Sequence, residues 1–243
     1  MDEPFALPRL SGTPSSEGVI EETLRYRVRP RPHPKFHTVL DTKILFGGGD
    51  GEAVVKTSVI PGAAEGAPAV HLDIVQRIGK LEVHDSFTSV RSGQGARAGK
   101  LERRIGESRR EDVDFTSGPF EFPAATYPEV LLPFLMRGQR WVVGAKRAAY
   151  SWSCDRFVAR VYYESRGEEV LEVPAGKIKA HHVWMYPDLN DWVSLGSVIT
   201  RLAKPLLPRY DLWFESAEPG RLVKYEGPYG PPGAPEVILE LMG

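Results

Sequence analysis

An all-β fold, built as an antiparallel meander, is predicted for this chain, and three observations predict it. Glycine and proline punctuate the sequence, 24 and 21 of them in 243 residues. The segments between them are short and rich in β-branched and aromatic residues. The connections carry turn chemistry, as in Gly79-Lys80 and Glu218-Pro219-Gly220. A chain of this length commonly folds as one β unit. The expected organisation is a flexible N-terminal lead over 1–18 and a single domain over 19–243, with a helical insertion at 187–208.

Strands are expected at 21–29, 36–46, 52–60, 69–78, 81–91, 99–105 and 109–116. In the second half they are expected at 140–152, 156–164, 168–173, 177–185, 209–216, 221–226 and 236–241. The sequences GGGDG at 47–51 and SRGEE at 165–169 read as turns. Between the halves, PEVLLPFLMR at 128–137 reads as a short helix. Pro128 suits its first position, Gly138 stands just past its end, and Pro133 limits it. A second helix is expected at 191–203, where Trp192, Leu195, Val198, Ile199 and Leu202 recur at helical spacing until Pro205.

The segment 69–91 fixes its own register if Gly79-Lys80 is a two-residue turn. Ile78 then faces Leu81, Gln76 faces Val83, Ile74 faces Asp85 and Leu72 faces Phe87. On the other face Arg77 meets Glu82, Val75 meets His84, Asp73 meets Ser86 and His71 meets Thr88. One face is largely apolar and one polar, with Asp85 the residue that fits the apolar face worst.

Charge is nearly balanced, 31 Lys and Arg against 32 Asp and Glu, so no global positive field draws the chain to nucleic acid. The single cysteine, Cys154, excludes an intramolecular disulfide and any multi-cysteine zinc site. No apolar run is long enough for a transmembrane helix, and the first residues show no basic and then apolar export signal. The expected location is cytoplasmic as the sequence stands, or periplasmic and exported if a signal peptide has been removed.

Three stretches carry a family likeness: PEVLLPFLMRG at 128–138, EVPAGKIKA at 172–180 and DLWFESAEPGRLVKYEG at 211–227. In this order they resemble a family of bacterial proteins of unknown function with a β half-barrel like that of the lipoprotein localisation factors. The resemblance implies a strongly curved sheet, closed by one or two short helices, with a hydrophobic cavity between sheet and helix. It implies no catalytic residues. The chain departs from the family in its stretch 187–208 and in lacking a visible signal.

Candidate site residues follow from the same reading. His182 shares a strand face with Ile178, Ala180 and Trp184, expected to point inward, while His181 lies with Lys177, Lys179, Val183 and Met185. His182 is then either an ordinary hydrogen-bonded residue or a polar anchor in an apolar cavity. The expected ligand-lining set is Ile178, His182, Trp184, Trp192, Leu195, Ile199 and Trp213. His71, Asp73, His84 and Ser86 can gather on the polar face of the 69–91 hairpin, an arrangement suited to a base held by an acid. No metal or organic cofactor is expected, because HExxH, CxxC, GxSxG and phosphate-loop patterns are all missing from the sequence. The function read first is a binding or carrier module for a hydrophobic or lipid-like ligand. The alternatives are a cofactor-independent enzyme using His182, or His84 with Asp73, and an interaction domain whose groove receives a peptide or protein.

Overall fold

The computed structural model describes residues 4–32, 46–47, 49–107, 109–117, 122–154, 157–188, 209–228 and 235–243. Its strands are β1 (Phe5–Ala6), β2 (Ile20–Pro30), β3 (Gly51–Val59), β4 (Pro68–Ile78), β5 (Leu81–Ser92), β6 (Gly95–Ile105) and β7 (Arg109–Asp114). There follow β8 (Thr126–Pro128), β9 (Lys146–Cys154), β10 (Phe157–Val173), β11 (Gly176–Pro187), β12 (Tyr210–Glu215), β13 (Leu222–Pro228) and β14 (Glu236–Leu241). All fourteen belong to one barrel-like sheet that its ladder does not close, ordered β1-β6-β5-β4-β3-β2-β14-β13-β12-β11-β10-β9-β8, with β7 also on β6. Two meanders, β2–β6 and β9–β14, are thus sewn together by the β2–β14 pair. Among the named strands only β8–β9 runs parallel.

The eight predicted pairs of β4 and β5 are all observed. It places Leu72, Ile74 and Phe87 in the core, together with Leu24, Tyr26 and Val28 of β2 and Ala53 and Val55 of β3. The alternation follows from the strand period of two. Asp85 is also buried, and its cross-strand partner Arg103 explains why: Nε donates to Oδ1 at 2.6 Å. A buried carboxylate is tolerable only when paired in this way.

Residues 129–138 form the plug, made of a 3₁₀ turn (Glu129–Leu131), one α turn (Leu132–Leu135) and another 3₁₀ turn (Met136–Gly138). Pro133 sits at the start of the α turn, where a missing N–H costs nothing. Leu131, Leu132, Phe134, Leu135 and Met136 are all buried in the common core. Each buried side chain of this size contributes about 1.5–3 kcal/mol, so the plug is held by its apolar content rather than by its few helical hydrogen bonds.

Several expectations are corrected. SRGEE is not a hairpin turn: β10 runs through it, and the register shift between Ser165 and Gly167 marks a bulge that Gly167 accommodates at φ +134°. Strand β9 begins at Lys146 rather than 140, and before it only an isolated bridge joins Val143 to Ser165. The expected strand 36–46 lies outside the described residues except for buried Phe46, and the expected helix 191–203 lies outside them entirely.

The sheet's two edges meet at a seam closed by side chains. Tyr127 of β8 stacks on Phe5 of β1, centroids 4.4 Å apart and planes 3° from parallel. The Tyr127 hydroxyl donates to the Ala96 carbonyl of β6 at 2.6 Å and accepts from the Phe5 amide at 2.9 Å. The lead strand β1 is pinned there between two glycines. A Cβ on Gly95 would come within 2.3 Å of the Phe5 carbonyl oxygen, and one on Gly138 within 2.5 Å of that of Leu7.

Outside the barrel, the tip of the β10–β11 hairpin reaches the end of β14, where the Ala175 amide donates to the Leu241 carbonyl at 3.0 Å. A second small core, Val173, Ala180, Trp213 and Val223, lies in this region. The outward side of β2, β13 and β14 is charged, with Arg27 and Arg29 on Glu240, Arg31 on Glu226 and Glu236, and Lys224 on Glu226. That is not the apolar band of a strand facing lipid. Among the described residues no helix is long and apolar enough to cross a membrane.

Candidate functional site

Three residues of the expected ligand wall, His182, Trp184 and Trp213, come together on the outside of the sheet. Val183 and Met185 enter the main core, whereas Ala180 and Trp213 belong to the small outer one, so the two faces of β11 are the reverse of the expectation. Both faces of this strand carry large apolar side chains, and the sheet puts the aliphatic pair inside. His182 lies opposite Trp213 and stacks on it at 4.6 Å and 9°, and Trp184 stands edge-on to His182 at 6.3 Å. Cations cover these rings: Arg166 and Arg209 lie 4.1 and 4.0 Å from the Trp184 centroid, and Lys224 lies 5.1 Å from that of Trp213. Ile178 packs at the boundary of both cores. Trp192, Leu195 and Ile199 lie outside the described residues.

Both ring nitrogens of His182 face carboxylates, Nε2 against Asp211 Oδ1 at 3.0 Å and Nδ1 against Glu169 Oε1 at 3.5 Å. The same Glu169 oxygen accepts from Trp213 Nε1 at 2.6 Å. This arrangement fixes the ring and leaves neither nitrogen turned to a substrate, as a general base requires. His84 Nε2 and Asp73 Oδ1 do meet, at 2.5 Å, on the outward face of β4 and β5. They are about one-third exposed, and His71 contacts Thr88 instead of joining them. Among the described residues no group of three or more His, Cys, Asp or Glu could hold a metal.

A polar cluster gathers at the start of the plug. Glu129 accepts from Tyr210 Oη at 2.7 Å and from the Ser153 hydroxyl. Burial pushes its carboxyl above the ordinary glutamate value, against those two hydrogen bonds and the charge of Arg103. Its acceptors are satisfied by groups of the fold, so it reads as a structural anchor for the plug.

The open hollow lies at the other end of the plug. There two adjoining lobes of about 440 and 640 Å³ share Arg9, Gly138, Gln139 and Arg140 in their walls. The smaller is walled by Trp141, His181 and the β12–β13 turn around Pro219, the larger by Pro4, Ala6, Arg147 and the β5–β6 turn around Gly93. Trp141 is fixed by stacking on Phe214 at 4.9 Å. Arg137, only 5% exposed, pairs with Glu22, which also accepts from the Ser11 hydroxyl at 2.6 Å. Burial alone would raise the Glu22 carboxyl, but hydrogen bonds and charge from Arg137 and Ser11 outweigh it and hold it below the usual range. The sequence reading missed these residues. The available signal was Arg137, Arg140 and Arg147 in close succession directly after an apolar plug sequence.

No protein-family model matches the chain, and no curated protein matches it. Solved structures do. One is a beta-barrel-like protein of domain of unknown function DUF1849 from Brucella abortus, at 10% identity and TM-score 0.44, covering 98% of this chain and 97% of that one. Another, from Parabacteroides distasonis, is described as a lipoprotein candidate, at 10% identity and TM-score 0.33, covering 100% and 99%. Neither is described as a lipoprotein localisation factor.

Proposed function

We propose that the chain is a binding module for a small amphiphilic, lipid-like molecule, held in the two-lobed cleft at the plug end. The observation that carries this reading is the cleft's construction. Segments around residues 6, 94, 139 and 218 converge on it, and all are anchored to the packed core by β1, β5–β6, the plug and β12–β13. Lobes of about 440 and 640 Å³ match the size of preformed small-molecule sites. Their walls are mostly polar, with Arg9, Gln139 and Arg140 common to both, and Trp141, Ala217, Pro219, Pro4 and Ala6 supply the apolar part, a lining suited to the polar end of an amphiphile. The inward-facing side chains of β2–β5 and β11–β14 are buried in one cluster, which moves the reading from the barrel interior to this end.

Native mass spectrometry of gently purified protein is expected to show a co-purified amphiphile of a few hundred daltons. Ala217→Trp, on the exposed rim of the smaller lobe, should remove it while leaving the fold unchanged. Protein that carries no adduct, and that takes up none from a panel of single-chain amphiphiles, would rule the reading out.

A further inference from the structure

Resting on that reading of the cleft, we propose that its ligand carries an anionic head group of the phosphate or carboxylate kind, gripped by Arg140 and Arg147 with Arg137 behind them. The argument begins with which cations at the cleft are already neutralised. Arg9 pairs with Glu218, Arg137 with Glu22, and Arg221 binds Glu215 through two hydrogen bonds of 2.8 and 3.0 Å. Arg140 lines both lobes and has no carboxylate partner among the described residues. Arg147 lines the larger lobe and, among the described residues, donates only to the neutral Gln139 amide oxygen, at 2.9 Å. Two guanidinium charges therefore stand uncompensated on one concave wall.

A second observation points the same way. Arg137 is buried, yet among the described residues its Nε and Nη2 have no hydrogen-bond partner, and neither has Gln139 Nε2 beside it. Buried donors left without acceptors cost free energy that an incoming acceptor recovers. A planar guanidinium fork matches the oxygens of a phosphate or carboxylate better than any neutral group. Arg140 and Arg147 are themselves exposed, so the pairing draws on two like charges set on one wall rather than on burial.

The test is isothermal titration calorimetry on the full chain with dodecyl phosphate, dodecanol and inorganic phosphate, each below its aggregation concentration. Dodecyl phosphate is expected to bind at least ten-fold more tightly than dodecanol. The double variant Arg140→Gln/Arg147→Gln should lose that advantage, while Arg104→Gln, an exposed arginine away from the cleft, should keep it. Inorganic phosphate that competes with dodecyl phosphate and is lost in the double variant supports the anion site with a free ion as its source. Equal binding of dodecanol and dodecyl phosphate overturns the anionic head group and leaves the binding module standing. Binding of none of the three overturns both. A thermal melt of each variant separates loss of the site from loss of the fold.

Discussion

Glu129 is the residue at which burial and ionisation conflict most openly. Its folded pKa lies above the unfolded value near 4.5, because burial penalises the carboxylate more than Tyr210, Ser153 and Arg103 favour it. The sign of the linkage follows. The stability tied to the protonated form is full below about pH 4.5 and is lost as pH rises through the folded value. Glu129→Gln, which cannot ionise and still offers an oxygen to Tyr210, should therefore raise Tm at pH 7.5 and have little effect at pH 4. Melts of both proteins across that range check it; an identical shift at both pH values would mean that ionisation is not the cause. Glu22 carries the opposite sign. Its depressed pKa supplies stability above about pH 4.5 that is lost on acidification, so Glu22→Gln should be most damaging at neutral pH and least at pH 3. Asp85 shows how far a residue can be read from sequence alone. The hairpin register exposed it as a misfit on an apolar face, but its partner Arg103 is identified only when β6 is placed beside β5.

Among the elements, the plug and the β4–β5 hairpin were legible because each announces itself locally. A two-residue turn with alternating faces determines register, and the apolar run after Pro128 marks the plug, although Pro133 begins its α turn rather than limiting it and Gly138 lies inside its last 3₁₀ turn. The bulge in β10 was not legible, since SRGEE has the composition of a turn and its pairing to β11, beyond the point where the β9 ladder ends at Glu164, keeps it a strand. The orientation of β11 failed for a related reason. Its two faces are alike in apolar content, and what decides between them is the aliphatic packing of Val183 and Met185 against other strands. The plug's last residue carries the element-scale prediction. Gly138→Ala adds a Cβ 2.5 and 2.6 Å from the carbonyl oxygens of Leu7 and Ala6, backbone atoms that cannot swing aside. The lead must then retreat from the plug, at a cost of roughly 1–3 kcal/mol for such overpacking. Because Pro4, Ala6 and Arg9 line the larger lobe, ligand binding should fall with it. Limited proteolysis is expected to cut the lead near Arg9 faster than in the parent protein, and an unchanged cleavage rate would show that the lead is not held by this contact.

At the scale of the molecule, the fold depends on how a sheet of fourteen strands ends. An exposed edge is a template for pairing with other chains, and closure of the ladder is the usual remedy. Here the remedy is a side-chain seam. Tyr127 bridges β8 to β1 and β6 through two hydrogen bonds and a stacked ring, so side chains join the two edges of the open sheet where backbone pairing stops. Tyr127→Phe keeps the ring and removes the hydroxyl, leaving the Phe5 amide and the Ala96 carbonyl without this partner. The expected loss is about 1–3 kcal/mol in urea unfolding. Tyr26→Phe is the matched control: its hydroxyl makes a single bond, 3.0 Å to the Leu222 carbonyl, away from the seam. Hydrogen exchange separates the two. The seam variant should speed exchange at residues 5–6, 95–98 and 126–127 while the β2–β14 junction stays protected, because opening an edge does not require melting the join between the meanders. Uniform acceleration across the sheet would mean that Tyr127 stabilises the whole core and that the seam is no separate unit.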